Sequence, residues 1–341
     1  MRAHSFGRRS FVRLAVPAAT ITAVNILHYR ADAAEFNYRF ANNEVLSYPM
    51  NTRMQAAAQR LRERSSGQFD LKLFPAGQLG TDTDMLSQVR SGVLQFYAAS
   101  GAVLSTLVPV SGINSVGFAF ANYPQVWSAM EGDLGAVIRA DVEKVRLHAF
   151  EKIFDIGFRQ ITSSTHPIRV PDDLKGFKIR VPPSPISVAM FTALGAAPGT
   201  LNWSEVYTAL QTKLYDGQEN PLPSIDTGKL YEVQKYCALT NHQWDGFWVL
   251  GNKAAFAKLP KALQDMVSEE FSRAAEEDRA DIAGLAASLR PSLEAHGMAF
   301  TEVDQPAFKE RLKQSGFYGQ WQAKFGAEAW SALAKYSNGI A

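Results

Sequence analysis

The chain has 341 residues, 46% of them hydrophobic and 20% charged, a composition that excludes a disordered or low-complexity protein and leaves room for two lobes with separate cores. Its formal net charge of +2 comes without any stripe of lysine and arginine interleaved with aromatics, so nucleic acid is not an expected partner. The single cysteine, Cys237, excludes an intrachain disulfide, and its apolar-leaning neighbourhood favours a buried thiol over a nucleophile.

Residues 1–33 read as an export signal that is not part of the fold. Arg8-Arg9-Ser10-Phe11-Val12-Arg13 is a twin-arginine pattern, and Leu14 to Leu27 is a moderately apolar stretch, shorter than the roughly 20 residues a membrane span needs. Ala31-Asp32-Ala33 supplies small residues for cleavage, and Arg30 just before them discourages the general secretion route. The expectation is a periplasmic protein exported by the twin-arginine route. The segment holds five arginines and one aspartate, so its removal turns the balance to about −2.

Phe36, Tyr38 and Phe40 alternate with Asn37, Arg39 and Ala41, the period of a half-buried strand. Met50, Met54, Ala57, Ala58 and Leu61 fall at helical spacing, Ser65-Ser66-Gly67 breaks the pattern, and a strand at 69–74 follows, which makes a β-α-β unit with parallel neighbours. Asp82 or Thr83 caps a helix through Met85, Leu86 and Val89 that Gly92 stops, and a strand over 93–98 runs into Ser100-Gly101. Ligands of open α/β sheets sit beyond the carboxyl ends of the strands, which makes 42–44 and 99–101 either cleft positions or ordinary loop caps.

Val126, Trp127, Met130, Leu134, Val137 and Ile138 predict one amphipathic helix after Pro124, and 147–161 reads as extended chain crossing from the first lobe to the second. Phe177, Ile179 and Val181 point one way on a strand and Lys178 and Arg180 the other, until Pro182-Pro183 ends it. Gly199 to Pro221, GTLNWSEVYTALQTKLYDGQENP, predicts a short helix with Asn202 as cap and Glu205 completing a capping box. A turn at Asp216-Gly217 follows, and then a loop presenting Gln218, Glu219 and Asn220 ahead of Pro221. Trp244, Phe247 and Trp248 are either core or a stacking wall for a ring-bearing ligand, with Trp244 the first choice for ligand contact. From Pro260 a 3.6-residue period runs to about Leu293, a helix of roughly 45 to 50 Å, long enough to span both lobes, which Pro291 should kink or end. The remainder, with Trp321 and Trp330, reads as helices on the second lobe.

Chemistry-bearing motifs are sparse. The six histidines include no H-E-x-x-H and no zinc-type pair, and neither a G-x-S-x-G elbow nor a phosphate-cradling glycine loop occurs. Asp216 and Glu219 flank a turn, which explains them without catalysis. No catalytic residue, metal or cofactor is assigned. A cleft lined by arginines, amides and aromatics suits capture of an anionic small molecule, because guanidinium presents paired donors that match both oxygens of a carboxylate.

The SEVYTALQ helix with DGQEN after it resembles the solute-binding receptors of tripartite ATP-independent periplasmic (TRAP) transporters of the DctP type. FPAGQLG at 74–80, DLKGFKIRVP at 173–182, YEVQKY at 231–236 and TNH at 240–242 match in the same order, so the likeness covers most of the mature chain. The resemblance implies a two-lobed α/β periplasmic solute-binding fold, type II-like, with interwoven lobes and the long helix spanning both. The expected division is 34–157 with part of 246–285 in the first lobe and 158–245 with 286–341 in the second, the ligand cleft lying between. Carried over by motif, Arg180 clamps the ligand carboxylate, Arg159 is a second cleft arginine and Asn220 a polar contact. Asn42, Ser100, Trp244 and Asp245 fall where family members vary their contacts. Lys213 departs from the pattern, standing where relatives often have a glycine that ends the motif helix.

The resulting expectation is a monomeric periplasmic receptor that hands a small organic acid to TRAP membrane permease subunits. The aromatics favour a sugar acid such as a uronate, with an aromatic or a short hydroxy or keto acid as alternatives. The competing readings are a periplasmic enzyme acting on such an acid and a ligand sensor for a signalling partner.

Overall fold

The computed structural model describes residues 34–337, 339 and 340, so the twin-arginine reading of 1–33 lies outside the described residues. Eleven strands form a continuous, twisted sheet: β1 Phe36–Ala41, β2 Phe69–Phe74, β3 Phe96–Ser100, β4 Leu147–Ala149, β5 Phe154–Ser163, β6 Lys178–Val181, β7 Ala197–Thr200, β8 Gly217–Pro221, β9 Tyr236–Ala238, β10 Trp244–Asn252 and β11 Ala299–Thr301. Their order is β2-β1-β3-β10-β5-β8-β6-β7. β1, β2 and β3 are parallel, as the β-α-β reading requires, and β6 is parallel to β7 and β8. The two long strands β5 and β10 run antiparallel between these sets and join the lobes.

The helices are α1 Pro49–Arg64, α2 Asp82–Ser91, α3 Gly101–Leu104, α4 Tyr123–Glu131, α5 Asp133–Lys144, α6 Pro185–Ala193, α7 Val206–Gln211, α8 Leu222–Thr227, α9 Lys253–Ala257, α10 Lys261–Ala295, α11 Gln305–Gln314 and α12 Phe317–Ala334. α1 buries Met50, Met54, Ala57 and Leu61 of the five positions its sequence spacing marks, and Ala58 is half-buried. α10 packs with α1 and β1 through Leu263, Val267, Phe271 and Ile282, whereas Leu293 near its end belongs to the core of the second lobe with Val206, Leu210 and Ile225. One helix therefore spans both lobes, and Pro291 lies within its last turns without ending it.

Several local expectations are corrected. Thr81, not Asp82 or Thr83, caps α2, with Asp84 completing the box, and Gly92 closes it in a left-handed conformation at φ 88°. The third strand begins at Phe96, leaving Val93 exposed. Gly132 splits the helix of 123–144 in two. Asn202 makes no side-chain cap: a single 3-10 turn, Trp203–Glu205, leads into α7. Gln218, Glu219 and Asn220 lie in a fully buried strand and not on a loop, since β8 inserts between β5 and β6. The last helix, α12, kinked at Gly326, joins the segments 109–115 and 133–144 to α6 instead of resting on the second lobe alone. Cys237 is fully buried, and burial pushes its thiol far up.

Candidate functional site

The carboxyl ends of the parallel strands meet around a small cavity, where Asn43, Glu44, Asp82, Ser100 and Val103 of the first lobe face Arg159, Arg180, Pro182, Trp203 and Asn220 of the second, with Ile156 and Phe247 at the crossover. The position follows from topology: β1, β3 and β6 all deliver their following loops to this point.

Arg159 and Arg180 have opposite surroundings. Arg159 is forked onto Glu219: Nε donates to Oε2, and Nη2 to Oε1 at 2.9 Å and to the Glu219 carbonyl at 2.7 Å. Nη2 also reaches Asn220 Oδ1 at 3.1 Å, and Asp245 Oδ2 lies 3.5 Å from Nη1. Burial works against the charge of Arg159, but Glu219 and Asp245 more than offset it. Burial likewise pushes the Glu219 carboxyl up, and Arg159 and His242 together hold it below its usual range. His242 Nε2 stands 3.2 Å from Glu219 Oε2 and its Nδ1 2.7 Å from Thr240 Oγ1. A carboxylate only accepts, so Nε2 carries the proton and Thr240 donates to Nδ1. Burial lowers the imidazole below its ordinary value, keeping it neutral.

Arg180 is 2% exposed, and its Nε and Nη2 both donate to the Leu201 carbonyl, at 3.0 and 2.5 Å. Among the described residues no carboxylate lies within ion-pair distance of it. Burial lowers its pKa to about 10, which still leaves it charged at neutral pH. It is a buried cation on the wall of a cavity, with its neighbour cation already neutralised.

Four of the seven residues singled out in the sequence, Arg159, Arg180, Ser100 and Asn220, meet at this cavity. Ser100 also caps α3, its Oγ accepting from Val103 N at 3.2 Å. The other three stand behind it. Asn42 is fully buried, exchanges hydrogen bonds with Asn51 and accepts from Glu44 N at 3.0 Å, so it shapes the loop that carries Asn43 and Glu44. Asp245 Oδ1 accepts from the backbone of Gly101 and Gly246 at 3.0 and 2.9 Å. Trp244 is corrected from ligand contact to core: it is 1% exposed, its Nε1 donates to Asp155 Oδ1 at 2.9 Å, and its ring meets Trp127 edge-on. The alternation of β10 puts Trp244 and Trp248 on one face and Phe247 on the other, and of these three aromatics Phe247 is the one that reaches the cavity.

Asp82 is a site residue that the sequence reading took only for a helix cap, and Glu44 lies in the 42–44 stretch marked as cleft or loop cap without being singled out. Asp82 accepts from Asn43 Nδ2 at 2.7 Å and, across the cleft, from the backbone N–H of Trp203 at 3.0 Å. Glu44 accepts from Ser224 Oγ at 3.2 Å, also across the cleft. A signal existed for Glu44, at the carboxyl end of β1, but nothing in its neighbours told its burial.

This fold and this paired-arginine cleft define a periplasmic solute-binding receptor. The chain belongs to the bacterial extracellular solute-binding protein family 7, the DctP family, whose model matches residues 40–320. It is 32% identical to the 2,3-diketo-L-gulonate-binding periplasmic protein YiaO of Escherichia coli K12 over 253 residues, 74% of this chain and 77% of that one. It superposes at a TM-score of 0.83 on a TRAP periplasmic solute-binding protein of Sulfitobacter sp. NAS-14.1 with bound β-D-galacturonate, at 27% identity, covering 88% of this chain and 99% of the other. The same TM-score, 0.83, relates it to a TRAP periplasmic solute-binding protein of Sulfurospirillum deleyianum with bound succinate, at 26% identity, covering 88% and 98%. Members of this family are exported, bind small organic acids and work with membrane permease components.

Proposed function

We propose that this receptor captures a sugar acid, a uronate or related hydroxylated acid, between its lobes and delivers it to a TRAP permease. The observation that carries the reading is Arg180, a buried guanidinium turned to the cavity wall with only a backbone carbonyl to bond. A ligand carboxylate supplies the missing countercharge in the paired geometry that guanidinium prefers. Asn220 and Ser100 take polar groups of the same guest, and Asp245 and Asn42 hold the frame. The lobes divide as the sequence suggests, 34–157 with part of 246–285 against 158–245 with 286–341. Closure around the guest follows because the ligand touches both lobes only when they are shut.

The receptor releases its solute unchanged, acts as a monomer and leaves the cytoplasm by the twin-arginine route. What supports a binding role over catalysis is that Glu219 is engaged with Arg159 and His242, and Asp245 Oδ1 with two backbone N–H groups. A thermal-shift screen of organic acids tests the reading. A fitting acid at 100 times its Kd adds about 2.7 kcal/mol of stability and is recovered intact after long incubation. Failure of every acid to shift the melt, or conversion of one, contradicts it.

A further inference from the structure

We infer that Glu44 sets the specificity of the cleft by taking a hydroxyl group of the ligand, on the wall opposite the arginines, through its free oxygen Oε2. The inference rests on the carboxylate-binding reading above and adds to it what the far end of the guest must be. Glu44 is 4% exposed and lines the cavity. Its Oε1 accepts from Ser224 Oγ at 3.2 Å, while Oε2 is buried with no hydrogen-bond partner among the described residues. A buried carboxyl oxygen left so is costly, and a guest that bonds it recovers the difference.

The charges that face Glu44 decide the kind of guest. Asp82 shares its cavity wall, the Tyr48 phenol packs behind it, and Arg159 faces it from the second lobe. Burial pushes Glu44 up to about 8; Ser224 and Arg159 work against that rise and Asp82 adds to it. At neutral pH the group is therefore mostly a neutral acid that offers one donor and one acceptor. A hydroxyl, which is itself donor and acceptor, matches it in either protonation state. A second carboxylate placed there would put a further buried charge beside Asp82, and a bare methylene would leave Oε2 unbonded.

Calorimetric titration with acids of equal chain length tests this: D-erythronate against butyrate and succinate, and L-galactonate against hexanoate and adipate. The wild type is expected to prefer the hydroxylated acid of the better-bound series by about 30-fold or more. Glu44→Leu reduces that ratio by about ten-fold or more while the unsubstituted acid binds as before, and Glu44→Gln, which keeps a neutral donor and acceptor, retains it. A wild type without the preference overturns the inference whether or not the variants fold. A ratio unchanged in folded Glu44→Leu overturns it also, and leaves the arginine reading standing. Binding of no acid at all removes both.

Discussion

The backbone N–H of Trp203 donates to Asp82 Oδ2 at 3.0 Å, joining the first turn before α7 to the first turn of α2 across the cleft. Closure is thus written partly in protein-to-protein bonds, and the Glu44 to Ser224 contact is a second one. Asp82→Ala removes an acceptor that is 3% exposed and leaves the Trp203 N–H without its partner. Ligand dissociation should quicken by roughly 10- to 100-fold, since a hydrogen bond to a charged group contributes about 1.5 to 3 kcal/mol. Stopped-flow release measures it; an unchanged rate would mean the bond does not hold the lobes shut.

Glu219 matters for folding as much as for the site. Glu219→Gln leaves Arg159 charged, buried and short of a countercharge, and should destabilise the protein by about 3 to 5 kcal/mol in denaturant titrations. Because the folded-state pKa of Glu219 lies below its unfolded value, its contribution is present above the usual carboxylate range and is lost as pH falls through that depressed value. The variant should therefore lose the acid-side part of the stability profile that the wild type shows.

Asp155 and Asp278 act in the opposite sense. Asp278 Oδ2 accepts from Asp155 N at 2.9 Å, and burial raises both carboxyls, Asp155 to about 7 and Asp278 well above the ordinary range. A raised folded-state pKa means stability that is full below about pH 4 and is lost as pH rises through the folded value. Asp278→Asn keeps the acceptor and removes the ionisation. Its melting temperature at pH 8 should exceed that of the wild type by about 2 to 4 °C, with the gap closing at pH 5. An equal gap at both pH values would assign the effect to packing.

Lys213 stands at φ 60°, a left-handed conformation that a side chain disfavours. Lys213→Gly should stabilise by about 0.5 to 1 kcal/mol, the strain relieved being partly offset by the freer unfolded chain. Guanidinium unfolding midpoints measure the change, and a loss of stability would contradict the account of this turn.

What could be read from the chain depended on how local its cause was. The alternation of Phe177, Ile179 and Val181 fixed the strand of Arg180, and the motif around it named the residue. The same alternation could not show that Lys178 stays exposed while Arg180, two residues on, is covered by the second lobe's own loop at Leu201. Trp244 was misjudged because its face of β10, shared with Trp248, is covered by partners far off in the chain, Asp155 and Trp127. β8 was taken for a loop since its amides and carboxylate are polar, and they are buried only because Arg159, Thr162 and His242 bond them. Glu44 depends on Ser224, 180 residues away. Local patterns give elements, whereas a polar site is made by partners distant in the chain.

The central claim is that Arg180 holds the carboxylate of the guest. Titration calorimetry of Arg180→Ala with the acid that binds the wild type tests it most directly, with the ligand-free melting temperature measured alongside. The account predicts affinity weaker by tens to thousands of fold, corresponding to about 2 to 5 kcal/mol, in a protein whose ligand-free form melts no lower than the wild type because a buried unpaired charge has been removed. Wild-type affinity in the folded variant would contradict it.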